Sequence, residues 1–366
     1  MVRKSNILVA LDVSPLKNAN RFRGIGFYTK NLAENLQELI EKNRQYSNFK
    51  IKLIDKQPSH SAAQQFSLFH YPYFDIFFPT LPQKTKPIVV TVHDLTPLVF
   101  PKHYPPGIKG RFNWAKQKKR LQKADAIITD SQNSKKDIVR LVGYLPEKVF
   151  VIYLGVAKGF KKIKNEKEKL KIRQKYCLPE KFVFYVGDVN WNKNVPGLVR
   201  ACQKIKVPLV IAGKQATSQN YDQAHQENQD LVWLQKEAKA DANIHLLGFV
   251  ESKDLPALYN LASLYCQPSF YEGFGMPVVE AMACGTPVIS ANTGSLPEIG
   301  ERAVLYFDPR QEGSLFQAIE AVVNDGELAD KLSKRGLVQA KKFSWQKCAR
   351  ETLGTYQKVL NIKEQE

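Results

Sequence analysis

The chain lacks any long hydrophobic run. No window of its 366 residues reaches the roughly 18 to 20 uninterrupted apolar residues of a membrane-spanning helix. The first apolar stretch, in MVRKSNILVALDVSP, is interrupted by Asp12 and followed by no small-residue cleavage site. It reads as a first β-strand and not as a signal peptide. Cysteine is sparse: Cys177, Cys202, Cys266, Cys284 and Cys348 lie far apart and have no metal-site spacing. That usage fits reduced thiols in a cytoplasmic protein. The six histidines are not paired, and no DxD stands beside a glycine loop, so no metal centre is expected. A G-x-S-x-G elbow and a P-loop are both missing, which removes two common catalytic frames.

Acidic charge is short in one half only. Residues 1–175 carry 34 Lys and Arg against 13 Asp and Glu, whereas the remainder carries 20 against 22. The whole excess behind the net charge of +19 therefore falls in the N-terminal half. Such asymmetry points to a polyanionic partner, either anionic lipid headgroups or nucleic acid. No nucleic-acid-binding motif accompanies the charge, so nucleic acid is not expected. The densest cations lie in IKGRFNWAKQKKRLQKAD (108–125), where Lys109, Arg111, Lys118 and Lys119 surround Trp114. A basic amphipathic helix with aromatics suits a membrane surface, though a solvated charged face over an ordinary core stripe is the plainer alternative.

What is present is a regular alternation. Short apolar runs, from NILVALD (6–12) to VFVIY (149–153) and again from FVFYVG (182–187) to AVLYF (303–307), are separated by helical patterns. Six runs occur in each half, and several are β-branched and apolar on both faces, as buried parallel strands require. The pattern predicts an α/β chain of two doubly wound units. The lysine-dense stretch 155–176 marks the boundary and reads as a solvated linker leading into a short helix. Domains are expected at 1–165 and 166–342, with an amphipathic helix at 343–366 anchored by Trp345, Cys348, Ala349, Leu353 and Tyr356.

Four constellations carry chemistry. PSFYEGFGMPVVEAMACG (268–285) places Glu272 and Glu280 eight positions apart around Gly273 and Gly275. Pro277 just inside and Gly285 just past VVEAMAC frame a helix, with Glu280 on its first turn. The start of such a helix suits a phosphate. In YVGDVNWNKN (185–194) a strand ends at Gly187, and Lys193 stands before a helix, at the sheet edge where such folds bind ligands. In RGIGFYTKNL (23–32), Gly24 and Gly26 permit close approach before a helix starting near Tyr28. His93, in VHDL (92–95), ends an apolar strand. Each has a plain counterpart: solvated glutamates, a solvated lysine, a turn glycine, a core histidine.

With these residues in hand, the chain resembles family 4 of the retaining glycosyltransferases. The match is closest from Ile244 to Pro309, where Glu272 and Glu280 fit the family's E-x7-E motif. GIGFYT (24–29), TVHDL (91–95), ITDSQNSKKDI (128–138) and YLGV (153–156) match as well. The resemblance implies a GT-B architecture: two Rossmann-like domains facing across a cleft, with the last helix returning to the N-terminal one. It implies that the C-terminal domain binds a nucleotide-diphosphate sugar, UDP- or GDP-linked, and the N-terminal domain a lipid-linked or polysaccharide acceptor.

In that scheme Glu280 holds the ribose hydroxyls. Glu272 lies beside the transferred sugar, with the backbone of Phe274, Gly275, Met276 and Pro277 near its hydroxyls. Lys193 meets the diphosphate, Gly26 the phosphates and His93 the sugar. No metal or other cofactor is implied, and the anomeric configuration is retained. Two positions depart from the pattern: Asn192 stands where an arginine is common, and Phe27 where a basic residue is common. Either another cation such as Arg23 substitutes, or turnover is slow. A nucleotide-sugar epimerase or a sugar phosphorylase on the same fold, and a polyanion-binding protein with an inactive fold, are the alternatives.

Overall fold

The computed structural model describes residues 6–361, leaving aside the side chains of Ala19, Phe22 and Glu312. The chain divides into two compact units, residues 1–155 with 344–366 and residues 156–343. Each holds one six-stranded parallel sheet.

Unit 1 contains β1 (Ile7–Asp12), β2 (Phe49–Ile54), β3 (Leu68–Tyr71), β4 (Ile88–Thr91), β5 (Ala126–Thr129) and β6 (Val149–Val151), in the order β2-β1-β3-β4-β5-β6. The four-residue strands β3, β4 and β5 are buried along their whole length. Their apolar runs, LF, IVV and AII, are covered on both faces, as a parallel sheet requires. The C-terminal helix Trp345–Val359 belongs to this unit and packs on helix Gly24–Lys42 and on β5. Its buried stripe is Trp345, Cys348, Ala349, Leu353 and Tyr356. Ser344 caps it by accepting from Lys347 N.

Unit 2 contains β7 (Val183–Val186), β8 (Leu209–Ala212), β9 (Ile244–Gly248), β10 (Leu264–Gln267), β11 (Val288–Ala291) and β12 (Leu305–Phe307), in the order β12-β11-β10-β7-β8-β9. The chain winds outward from β7 to β9, then returns to the other side of β7 with β10. The crevice at the carboxyl ends of β7 and β10 is thus the switch point, where open α/β sheets take their ligands. Aromatics fill the layer beneath it: Phe184, Tyr259 and Tyr265 meet edge-on or tilted, with ring centroids 5.2 to 6.3 Å apart.

Three expectations need correction. The boundary expected at 165/166 falls at 155/156. The lysine-rich segment is not a loose linker: Ile163 N donates to Asn260 Oδ1 at 2.7 Å, Asn260 Nδ2 donates to Lys161 O at 2.9 Å, and the Phe160 ring packs on Tyr259. These contacts bind it to unit 2 and move its cations there. Unit 1 then holds 29 Lys and Arg against 14 Asp and Glu, and unit 2 holds 25 against 21, so the positive excess is shared. Lastly, the first long helix begins at Gly24 and not near Tyr28, so both glycines lie in its first turn.

Candidate active site

The loops leaving β7 and β10 are sewn together by backbone and amide contacts. Gly187 leaves β7 with φ +152°, and any Cβ there would lie 2.8 Å from the Tyr185 hydroxyl. Asn192 is buried; its Nδ2 donates to Tyr271 O at 3.1 Å, and its carbonyl accepts from Phe270 N at 2.7 Å. Asn194, with φ 51°, donates to Pro268 O at 3.1 Å. Trp191 stacks on Phe270 with centroids 5.1 Å apart. Asn192 therefore fills a joint, pointing inward between the two loops where an exposed cation would not fit.

That joint brings Lys193 onto Glu272. Lys193 Nζ lies 2.7 Å from Oε1 and 2.8 Å from Oε2. Oε1 also accepts from Ser269 Oγ at 2.7 Å and Gln267 Nε2 at 2.9 Å, while Tyr265 OH donates to Gln267 Oε1 at 2.5 Å. Glu272 is thus held by a cation and two neutral donors, which fix the orientation of its carboxylate. Its backbone is fixed too: Ser295, after β11, donates from Oγ to Glu272 O at 3.0 Å and to Phe274 O at 2.8 Å. Gln267, Ser269 and Ser295 carry no sequence signal of their own; only the strand-end positions of the first two hint at a site.

The helix predicted after the glycine loop spans Met276–Cys284, with proline in its first turn and Gly285 closing it at φ 73°. Gly275 precedes it at φ +98°, a conformation that L side chains rarely adopt, and no side chain caps the helix start. The amides of Phe274, Gly275 and Met276 are the backbone donors of this segment, because Pro277 has no N–H. Gly273 is buried beside them. Glu280 lies one turn into the helix, correcting its expected place on the first turn; the helix has no acidic residue there. Glu280 is 8% exposed, Tyr259 OH donates to its Oε2 at 2.9 Å, and burial pushes its carboxyl up to about 8. The two glutamates of the motif thus sit in opposite electrostatic settings.

The remaining candidates are in unit 1. His93 follows β4 and pairs with Asp130, Nδ1 to Oδ2 at 2.6 Å, with the Tyr28 ring edge-on at 4.7 Å. Asp130 went unnoticed in the sequence, where it closes an apolar run. Gly26 is buried, and a Cβ there would come within 2.4 Å of Asn20 O, so the close approach it permits is to its own chain. Gly24 faces open space. Phe27 packs against Trp345 with centroids 6.1 Å apart, an apolar contact that a basic residue would not make.

The basic helix spans Ile108–Leu121. Lys118 donates to Leu141 O at 3.0 Å and Arg120 bonds Leu81 O, so part of the charge is used internally. Lys109, Arg111 and Lys119 are exposed and Trp114 is half-buried under Lys118. Ile108, Phe112 and Phe78 are 78%, 74% and 70% exposed. The loop bearing Phe78 is tied to the helix through Asn113 Nδ2 to Phe77 O and Gln117 Nε2 to Phe78 O. Two large apolar side chains therefore stand on the cationic helix and a third on the loop bonded to it. Among the described residues, no helix is long and apolar enough to cross a membrane, and no group of three or more His, Cys, Asp or Glu could hold a metal ion.

Comparison with known proteins points in one direction. Residues 162–338 match the family described as glycosyl transferases group 1, and residues 42–158 match glycosyltransferase family 4. The O-antigen chain mannosyltransferase B of Escherichia coli is 31% identical over 81% of this chain and 77% of its own length. The serotype-specific mannosyltransferase WbdA of E. coli is 27% identical over 78% of this chain, which spans about a third of it (35%). The fold of sucrose-phosphate synthase from Thermosynechococcus elongatus superposes with a TM-score of 0.75 at 20% identity, covering 98% of this chain and all of that one (100%). Anabaena HepE in complex with UDP and glucose superposes with a TM-score of 0.71 at 18% identity, covering 95% of this chain and 98% of that one. The two-unit α/β architecture is that of the GT-B fold.

Proposed function

The chain belongs to the glycosyl transferases group 1 family and is a glycosyltransferase; on that premise we propose that it moves mannose from a nucleotide-diphosphate sugar to a lipid-linked or polysaccharide acceptor, with retention of configuration and without a metal. The observation that carries this reading is the Lys193–Glu272 pair at the β7/β10 switch point, beside an uncapped helix start. A cation, backbone amides and a fixed carboxylate at one sheet edge are what a departing diphosphate and a bound sugar need. The mannosyltransferase relatives favour mannose as the hexose.

In this proposal unit 2 takes the donor and unit 1 the acceptor. Lys193 leaves Glu272 for the diphosphate when the donor binds, Glu272 faces the sugar, and Glu280 takes the ribose hydroxyls. Gly187, Gly273, Phe274, Gly275, Met276 and Pro277 shape that donor site. His93 is the unit 1 residue proposed to contact the sugar, and Gly26 packs on its own chain instead of on the phosphates. The leaving phosphate takes the acceptor's proton, so no separate base is required.

The place of action is the cytoplasmic membrane face, reached through Ile108, Phe112 and Phe78 with the cations around them. Apolar tips within a basic patch suit an anionic bilayer. A thermal-shift panel of nucleotide sugars tests the donor assignment. A cognate ligand at about 100 times its dissociation constant adds roughly 2.7 kcal/mol of stability. UDP- or GDP-linked mannose is expected to stabilise the protein, equally with and without EDTA. No shift with any nucleotide sugar contradicts the reading, and a shift lost in EDTA contradicts metal independence.

A further inference from the structure

We propose that Asp130 is a positioning residue that holds His93 as a doubly protonated hydrogen-bond donor, so that His93 acts as a cation and not as a base. The role in sugar transfer rests on the function proposed above; the protonation stands on unit 1 alone.

Strand register makes the pair. β4 and β5 align Thr91 with Ile128, and the ladder continues through Val92 N to Ile128 O at 2.9 Å. Two residues past each register point, His93 and Asp130 stand side by side. Ser134 Oγ donates to His93 O at 3.0 Å and pins the backbone.

Both ring nitrogens face acceptors. Nδ1 is 2.6 Å from Asp130 Oδ2, and Nε2 is 3.2 Å from Pro72 O. A carbonyl and an ionised carboxylate only accept, so a neutral imidazole would aim one lone pair at an acceptor. Two protons satisfy both bonds. Asp130 is 2% exposed, and its Oδ1 has no partner among the described residues. Burial raises the Asp130 carboxyl and the adjacent His93 opposes that rise, so a charged Asp130 depends on a charged imidazole beside it.

The titratable groups around the ring are Asp130 after β5, Asp94 next in the chain, His70 on β3 and Tyr28 on helix Gly24–Lys42; Cys348 of the C-terminal helix interacts with Asp130. Burial alone would lower His93, but the carboxylates of Asp130 and Asp94 outweigh it and the net direction is up. His70, fully buried, takes the opposite course. It bonds Tyr356 OH at 2.6 Å and Thr91 Oγ1 at 2.8 Å, both neutral, and burial drives it down to about 3. The His93 side chain is 19% exposed, and its longer bond, to Pro72, is the one that a ligand oxygen can replace.

Nitrogen NMR of the full chain with labelled histidine, assigned with His93→Gln, tests this. At pH 7 both His93 nitrogens are expected to carry protons, and in Asp130→Asn one becomes bare. A bare nitrogen in the unsubstituted protein, or no change in Asp130→Asn, overturns the proposal. This readout needs no turnover, so it stands apart from any failure of the transferase reading. Where turnover is measured, Asp130→Asn should lower kcat. KM for the nucleotide sugar should stay nearly unchanged. The alkaline limb of the pH profile should move to lower pH, and Asp130→Glu should restore part of the rate. An unmoved alkaline limb overturns the role assigned to Asp130.

Discussion

The two units each place a charged pair at the carboxyl edge of their sheet, and the pairs are built differently. Lys193–Glu272 spans a switch point, and its carboxylate is held by a lysine, a serine and a glutamine. His93–Asp130 joins neighbouring strands, and one buried oxygen of its carboxylate has no partner among the described residues. The first pair has spare support, so its lysine can leave without stranding the carboxylate. The second has none, which in the proposal above keeps the proton on His93. In the proposed reaction, a mobile cation and a fixed cation are two different tools for handling a diphosphate and a sugar.

The largest expected effect breaks the first pair. Lys193→Ala should lower turnover by about two orders of magnitude or more, the scale of losing one donor to a developing negative charge. Initial rates of nucleotide diphosphate release measure it, and a near-normal rate would remove Lys193 from the mechanism.

Next comes the contrast between the two glutamates. Burial raises Glu280 from an ordinary value of 4.5 to about 8, so the folded state keeps a proton that the unfolded chain has lost. Its contribution to stability is full below pH 4.5 and fades as pH rises to about 8. Glu280→Gln should remove this term. Denaturant midpoints of the parent should fall relative to the variant between pH 5 and pH 8, and parallel curves would refute the assigned environment.

Two smaller effects sharpen the picture of the scaffold. Gly275→Ala forces φ +98° on a side chain whose Cβ would lie 2.7 Å from Leu296 Cδ2. A cost of about 1–3 kcal/mol is expected in urea unfolding, with donor stabilisation reduced as well. Tyr356→Phe leaves the buried Nδ1 of His70 without its 2.6 Å partner. It should cost about 1–3 kcal/mol in the same assay while leaving the unit 2 donor site intact, read as an unchanged nucleotide-sugar affinity.

Much of this was legible in the sequence. All twelve apolar runs became strands, because parallel strands covered on both faces leave an uninterrupted apolar signature. The helix frame at Pro277 and Gly285 was equally plain, since both residues act through local backbone geometry. What stayed hidden depends on contacts between distant residues. Asn192 looked like a missing cation and is a joint between loops. Asp130, Gln267 and Ser269 are single polar residues at or just past strand ends, and only strand register shows what they face. The lysine-rich stretch after Gly155 read as a linker by composition, yet Asn260, about a hundred residues away, ties it down (|i−j| of 97 and 99).

The central claim is sugar transfer centred on the Lys193–Glu272 pair. Its most direct measurement is mass and NMR analysis of a mannose-terminated oligosaccharide incubated with UDP- or GDP-linked mannose, using the parent protein and Lys193→Ala side by side. The account predicts one added hexose with the donor's anomeric configuration from the parent and almost none from the variant. An inverted product, or equal transfer by both proteins, would contradict it.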